Sequence, residues 1–126
     1  MSFNKANQWN LYKQSKGIQI YYKLTNCDDI KNGLFQNYIL YKVVNTTNYN
    51  IDISWKNEVW YNNHCTSCGQ NKENKRVKLH LKANETIIGN CKNSNLSLFA
   101  EYKNHPKVDK LTKFEIIDLS IKIALK

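Results

Sequence analysis

The chain has 126 residues, 41% of them hydrophobic and 23% charged, so it is long enough for one domain with a single core and too short for two. No apolar run approaches the ~20 residues of a membrane-spanning helix, and the sequence therefore predicts no membrane span. The formal net charge is +9, yet Arg76 is the only arginine and the lysines are scattered singly, so no specific nucleic-acid site is predicted.

The first segment of the chain is polar. Residues 1–8 lack the apolar central region of a secretory signal, so we expect either a cytosolic protein or an exported one whose signal peptide is replaced by an added Met. Residues 1–14 are interpreted as an extra edge strand or a flexible arm. The strand is favoured because Trp9 would otherwise lie in water.

Apolar and polar residues alternate with a period of two from position 17 onward. The alternation predicts a strand over 18–25 and, after a turn at 26–33, a second strand over 36–44. A third strand over 51–56 places Trp55 in the core. The aromatic run at 59–61 then resumes after a change of phase, which predicts a bulge or tight turn near Asn57.

The second half of the chain continues the same pattern. A polar loop is predicted over 62–75, followed by strands at 77–82, 86–88, 96–102 and 111–125, with a bulge at the adjacent Ile116 and Ile117. About seven strands, turn signals every 8 to 15 residues or so, and no helical stretch predict an antiparallel immunoglobulin-like β-sandwich. The alternative is a closed barrel. Residues 1–126 are predicted to form this single domain.

The four cysteines are the most informative residues of the sequence. In an oxidising compartment they allow three disulfide connectivities. Cys27 and Cys91 both follow predicted strands, whereas Cys65 and Cys68 lie three positions apart, which favours the pairs Cys27 with Cys91 and Cys65 with Cys68. Closing the longer loop would contribute on the order of 4 kcal/mol in the chain-entropy model.

Zinc is the alternative interpretation of the cysteines. The segment Cys65-Thr-Ser-Cys68-Gly is a knuckle that presents two thiolates to tetrahedral zinc. Cys27 and Cys91 would have to converge on it to complete a four-cysteine site in a cytoplasmic interaction module. Thioredoxin-like redox chemistry is disfavoured because no amphipathic helix is predicted after Cys68. Apart from zinc, no cofactor is predicted.

No catalytic centre is predicted, and the chain is therefore expected not to be an enzyme. His64 and His105 lie in predicted loops and His80 on a predicted solvent face, and none has a carboxylate partner at a useful spacing. Asp28 and Asp29 are interpreted as turn residues, because Asp side chains hydrogen-bond the nearby backbone in turns.

Trp60, Tyr61 and His64 are the candidates for a binding surface. The two aromatic residues directly precede the cysteine loop, where a patch would suit a protein or glycan ligand, although aromatic residues at a strand end more often serve packing. End loops carry recognition in antiparallel sandwiches, so a ligand is expected at the loop 62–75. The basic run at 72–78 is interpreted as a solvated turn.

Several short motifs carry a resemblance to a protein family. They are Val-Val-Asn-Thr-Thr at 43–47, Ile-Ser-Trp at 53–55, Trp-Tyr at 60–61, Cys-Thr-Ser-Cys at 65–68 and Asn-Glu-Thr-Ile-Ile-Gly-Asn-Cys at 84–91. Over residues 17–120 the chain resembles small exported immunoglobulin-like β-sandwich proteins of Bacteroidetes-type bacteria. The resemblance implies export to the periplasm, the cell surface or the medium. It implies no functional residue, because that family has no assigned activity.

Overall fold

A computed structural model describes residues 8–66, 68, 76–92, 94–104 and 109–124 of the chain. Nine strands and two short 3-10 turns make up the regular structure of this part. The strands are β1 (Asn10–Ser15), β2 (Ile18–Asn26), β3 (Gln36–Asn45), β4 (Ile51–Tyr61), β5 (His64–Cys65), β6 (Val77–Leu81), β7 (Thr86–Ile88), β8 (Ser97–Tyr102) and β9 (Leu111–Ile123).

The strands form two antiparallel sheets that pack against each other. In the first sheet the order is β1-β2-β3, and β7 and β8 pair one after the other along the far edge of β3. In the second sheet β4 is central, with β9 on one side and β6 and β5 along the other. The predicted all-β sandwich is confirmed. The described residues form nine strands instead of about seven, because β1 and β5 are present as well.

Alternating side chains of both sheets fill the core. Tyr41 from the first sheet meets Trp55 and Phe114 from the second, with ring centroids 5.7 and 5.9 Å away in edge-to-face arrangements. All three side chains are fully buried. Such aromatic pairs contribute about 0.5–1.5 kcal/mol each beyond the area that they bury. Trp55 therefore lies in the core, as its phase with Ile51 and Ile53 predicts.

Strand β4 continues through Asn57, so the tight turn predicted near this position is wrong, and the nearest irregularity of the ladder lies between Ser54 and Lys56, where β9 carries an extra residue. Asn57 faces the same side as Trp55, and its Oδ1 accepts hydrogen bonds from the hydroxyl of Tyr41 and the indole N–H of Trp55, both at 3.0 Å. Two buried donors need an acceptor at this point of the core. Because Asn57 is a polar residue at an inward position, the sequence looks as if the alternation of apolar and polar residues broke there.

The bulge predicted in the last strand lies one residue beyond Ile117. Two residues of β9, Asp118 and the residue after it, stand opposite a single residue of β4, Trp55. Asp118 has a φ of +52°. A bulge that begins in the left-handed region bends the strand and redirects its side chains. The bulge therefore fixes where Asp118 projects from the second sheet.

Two hairpins turn through pairs of residues with positive φ. Lys16 and Gly17 (50° and 79°) connect β1 to β2, and Asn62 and Asn63 (52° and 67°) connect β4 to β5. Positive φ at both central positions is the requirement of the type I′ turn, which Asn and Gly tolerate best. The predicted loop 62–75 thus begins as a hairpin that carries Cys65 back along β4. Residues 67 and 69–75 lie outside the described part.

Strand β1 reaches across to the second sheet. The ring of Tyr12 stacks on Phe114 with centroids 5.9 Å apart, and its hydroxyl accepts the backbone N–H of Ile116 at 3.0 Å. Trp9, just before β1, lies beneath the ammonium groups of Lys23 and Lys42, 4.7 and 5.0 Å from its ring centroid. The N-terminal segment therefore closes one side of the sandwich.

Three short turns form the end of the sandwich that we call the turn end: residues 15–18, 45–51 and 81–86. Asn45, 1% exposed, makes four hydrogen bonds there with its side chain. Its Nδ2 donates to the carbonyl oxygens of Tyr49 at 2.8 Å and Lys82 at 3.0 Å. Its Oδ1 accepts from the N–H and the hydroxyl of Thr47. One side chain therefore links two turns.

Candidate functional site

The structure places the cysteines in the two predicted pairs. The Cα atoms lie 5.5 Å apart in Cys27–Cys91 and 5.6 Å apart in Cys65–Cys68, within the range of disulfides. All four cysteines are described, and none is free. Among the described residues no three His, Cys, Asp or Glu side chains gather as metal ligands, so the four sulfurs do not converge as the zinc alternative requires.

Both disulfides lie at the end of the sandwich opposite to the turn end. Cys27 directly follows β2, and its N–H donates to the carbonyl of Gln36 at the start of β3. Cys65 pairs with Trp60 near the end of β4. We call this region the stapled end; its described loop residues are 27–35, 62–66, 68, 90–92, 103–104 and 109–110.

Tyr61 ties the two sheets together at the stapled end. Its hydroxyl donates to the carbonyl oxygen of Phe99 in β8 at 2.7 Å, and the two rings are stacked with centroids 6.5 Å apart. Burial raises the pKa of Tyr61 to about 12, so the phenol keeps its proton and remains a donor at neutral pH. Tyr61, a predicted binding residue, thus lies half-buried between the sheets.

Trp60 and His64 reach the outside of the molecule. Trp60 is half-buried and stands opposite Lys113 across β4 and β9, with the lysine Nζ 4.5 Å from its ring centroid. His64 is exposed at the tip of the hairpin. Of the three predicted binding residues, these two are the ones that a ligand at the stapled end would reach.

The loop between β2 and β3 is held by Asp28. Its Oδ1 lies 2.9 Å from Nζ of Lys103 and accepts the N–H of Gln36 at 2.9 Å. The hydrogen bond from Lys103 is the main cause that lowers the pKa of Asp28. The carboxylate of Asp29 accepts from the side-chain amide of Asn32 at 2.8 Å. Both aspartates therefore have partners within the stapled end, as turn residues do.

Two apolar side chains on this loop face solvent. Ile30 is 75% exposed and Phe35 37% exposed. Ile30 begins the 3-10 turn Ile30–Asn32, and the carbonyl of Phe35 accepts the N–H of Lys103 at 2.7 Å. Ordered backbone thus presents apolar surface at the stapled end.

A groove of about 370 Å³ lies on the outer face of the second sheet, towards the turn end. Sequence reasoning missed it. The lining residues are Asp52, Ile53, Ser54, Lys78, Leu79, His80, Ser120 and Lys122. Asp52 is paired across the strands with both His80 and Lys122, and Ser54 with both Lys78 and Ser120. We call this feature the sheet groove.

His80 has a carboxylate partner in the sheet groove, so the prediction that no histidine has one is wrong. Its Nδ1 lies 2.7 Å from Oδ1 of Asp52. The two residues are 28 positions apart, and only the register between β4 and β6 brings them together. His80 itself is solvent-exposed, as its phase with Lys78 predicts.

One side of the sheet groove is bordered by the bulge in β9. Arg76 donates from Nε to Oγ of Ser54 at 3.0 Å and from its guanidinium to the carbonyl of Asp118. The carboxylate of Asp118 lies 3.9 Å from both Arg76 and Lys56. Arg76, predicted to belong to a solvated turn, is therefore engaged in holding the second sheet.

No family model matches the chain, and no curated protein or solved structure is similar to it at a significant level. The resemblance to exported proteins of Bacteroidetes-type bacteria therefore rests on the sequence motifs alone. Within the described ranges, no helix is long and apolar enough to cross a bilayer.

Proposed function

We propose that this protein is an exported, non-enzymatic binding module whose ligand, a protein or a glycan, contacts the stapled end. The observation that carries the proposal is the position of both disulfides at one end of the sandwich. Disulfides persist in oxidising compartments such as the periplasm, the cell surface and the medium. The motif resemblance to exported Bacteroidetes-type proteins supports the same location.

The two disulfides differ in what they contribute. Cys27–Cys91 spans 64 positions, and the chain-entropy model assigns such a cross-link about 4 kcal/mol of stability. Cys65–Cys68 spans three positions and contributes about 2 kcal/mol in the same model. The first bond stabilises the domain. The second acts on an exposed hairpin, where it reduces the ordering entropy that binding would otherwise cost.

The exposed side chains at the stapled end have the character of a recognition surface. Ile30 and Phe35 present apolar area, and Trp60 and His64 lie on the neighbouring hairpin. Aromatic side chains are enriched among the residues that dominate binding energy. Loops at the end of an antiparallel sandwich combine such side chains with a rigid scaffold.

Alkylation with iodoacetamide tests the disulfide part of the proposal against its alternative, the cytoplasmic zinc module. The protein is isolated from its native cells, denatured without reductant, alkylated and weighed by mass spectrometry. We expect no alkylated cysteine before reduction and four after it. Four alkylated cysteines without reduction, together with one zinc ion per chain in the native mass spectrum, would contradict the proposal.

A further inference from the structure

We propose that the sheet groove binds an acidic sugar, meaning a saccharide unit that carries a carboxylate. This site is separate from the stapled end, and the inference depends neither on export nor on binding at that end. The volume of about 370 Å³ lies at the lower end of the range for small-molecule sites, which is ~300–1,000 Å³. A site of this size accommodates one or two sugar rings, either alone or as part of a longer oligosaccharide.

The register of three strands sets the layout of the polar groups. Neighbouring strands lie ~4.8 Å apart, so the outer strands β6 and β9 are separated by roughly 10 Å. One row across the strands contains Lys78, Ser54 and Ser120. The next row contains His80, Asp52 and Lys122. The two lysines therefore occupy diagonally opposite corners of the sheet groove.

The lysines are the groups that would bind the carboxylate. Neither Lys78 nor Lys122 makes an ion pair with the residues that the structure describes, and an ammonium group offers three donors and no acceptor. A carboxylate on the ligand would form a charge-assisted hydrogen bond with either of them, which is stronger than a bond between neutral groups.

Asp52 and the two serines match the hydroxyl groups of a sugar. The carboxylate of Asp52 accepts hydrogen bonds and is held in place by His80 at 2.7 Å. Ser54 accepts from Nε of Arg76, so its own O–H proton remains to be donated. Ser120 adds a second hydroxyl. The sheet groove thus combines donors for an anionic group with acceptors for neutral hydroxyls.

The same groups argue against two other ligand classes. Phosphate sites favour bidentate arginine and backbone N–H groups, but Arg76 is engaged with Ser54 and Asp118. A neutral sugar would accept hydrogen bonds from the two lysines but would leave their charges without an anionic partner. An acidic sugar uses both kinds of group at once.

The polar groups are also held before a ligand arrives. Asp52 and Ser54 lie on the central strand β4, which is paired on both sides. Their side chains are oriented by His80 and Arg76. A site whose side chains are fixed by a rigid sheet and by neighbouring hydrogen bonds loses little entropy on binding.

The test is a titration of the full, disulfide-bonded chain with trigalacturonic acid, followed by amide chemical shifts. We expect saturable shifts at Ser54, Leu79 and Ser120. The neutral galactose trisaccharide and inorganic phosphate should each bind at least tenfold more weakly. Because each lysine would supply a charge-assisted hydrogen bond, Lys78→Gln and Lys122→Gln should each weaken binding about tenfold, or about 1.4 kcal/mol.

Lys13→Gln is the matched control, because it removes the same charge from an exposed position on β1 of the other sheet. It should leave the affinity unchanged. Equal affinity for the acidic and the neutral trisaccharide, unchanged binding by both groove variants, or the absence of saturable shifts would overturn the proposal. Shifts confined to Trp60 and His64 would overturn it too, while supporting a ligand site at the stapled end.

Discussion

The two ends of the sandwich are held by different kinds of bond. At the turn end a single buried side chain, that of Asn45, joins two turns through four hydrogen bonds. At the stapled end the loops are held by two disulfides and by the ion pair between Asp28 and Lys103. Because the turns of the turn end are short, their backbone groups lie within hydrogen-bonding distance of the side-chain amide of Asn45. Longer connections cost more closure entropy, and a cross-link reduces that cost in the unfolded chain.

The polar side chains of the turn end also take part in holding it. Asn45 and Thr47 use their polar groups within the turn end, and Asn50 Oδ1 accepts the N–H of Ala83 there at 3.0 Å. At the stapled end Ile30 remains 75% exposed. Tyr49 at the turn end is 59% exposed as well, so the two ends differ in the bonds that hold them and not in whether they present large side chains.

Removing the long disulfide should have the largest effect. Replacing both Cys27 and Cys91 by Ser is expected to lower the free energy of unfolding by about 4 kcal/mol, because the unfolded chain regains the entropy of a loop across 64 positions. Urea denaturation followed by tryptophan fluorescence measures the change. A loss below about 1 kcal/mol would show that the stapled end does not depend on its covalent bond.

Asn45→Ala should break the turn end. We expect a loss of about 3 kcal/mol in the free energy of unfolding, because the carbonyl of Lys82 and the N–H of Thr47 lose buried partners together. Asn48→Ala is the control, since Asn48 is exposed in the same turn and its side chain makes one long, exposed hydrogen bond, accepted from Asn84 at 3.3 Å, so the variant should change stability by no more than about 0.5 kcal/mol. Equal effects of the two variants would contradict the role of Asn45.

The short disulfide should matter less for stability than for local order. Replacing Cys65 and Cys68 by Ser is expected to cost about 2 kcal/mol and to leave the sandwich folded. Amide hydrogen exchange should become faster only around residues 62–68. If the double variant failed to fold, the pair would belong to the framework of the domain and not to an exposed hairpin.

Tyr61→Phe should have the smallest effect at neutral pH. Loss of the hydrogen bond to Phe99 is expected to cost about 1 kcal/mol. Burial raises the pKa of Tyr61 to about 12 in the folded protein, against ~10 in an unfolded chain. The stabilisation is therefore complete below pH ~10 and is lost as the pH rises towards 12, because the unfolded state releases the proton first.

The dependence of the free energy of unfolding on pH above about 9 distinguishes Tyr61→Phe from the wild type. Urea denaturation at pH 9, 10 and 11 should show a steeper loss of stability in the wild type than in Tyr61→Phe. Burial is also the main cause that raises the pKa of Tyr41, and the charge of Tyr61 adds to it, so removal of the Tyr61 hydroxyl reduces the alkaline loss of stability through Tyr41 in the same direction. Parallel pH profiles would show that Tyr61 does not tie the sheets through its neutral hydroxyl.

The sequence was sufficient for features that depend on local alternation. Strands such as β2 and β4 carry inward residues at every second position, and these patterns predict the two-sheet sandwich and the burial of Trp55. The loop positions of Cys27 and Cys91 likewise predict their pairing. The signal for a strand lies within a few residues of the strand itself, and the two cysteines, although 64 positions apart, each lie in a loop that the same alternation defines.

Features that depend on the partner strand were not predictable. Asn57 faces inward because Tyr41 and Trp55 both need an acceptor, and neither need is visible in the period of β4. The pair of Asp52 and His80 depends on the register between β4 and β6, which are connected through a long segment. The sheet groove escaped prediction for the same reason.

Strand β9 also bears on how the protein behaves at high concentration. It forms one edge of the second sheet with thirteen residues, and an open edge of that length is a template for strand addition by another chain. Tyr12 occupies the outward N–H of Ile116, and the bulge at Asp118 interrupts the regular ladder. Strand β1 thereby reduces aggregation, because it leaves other molecules no continuous edge strand with which to pair.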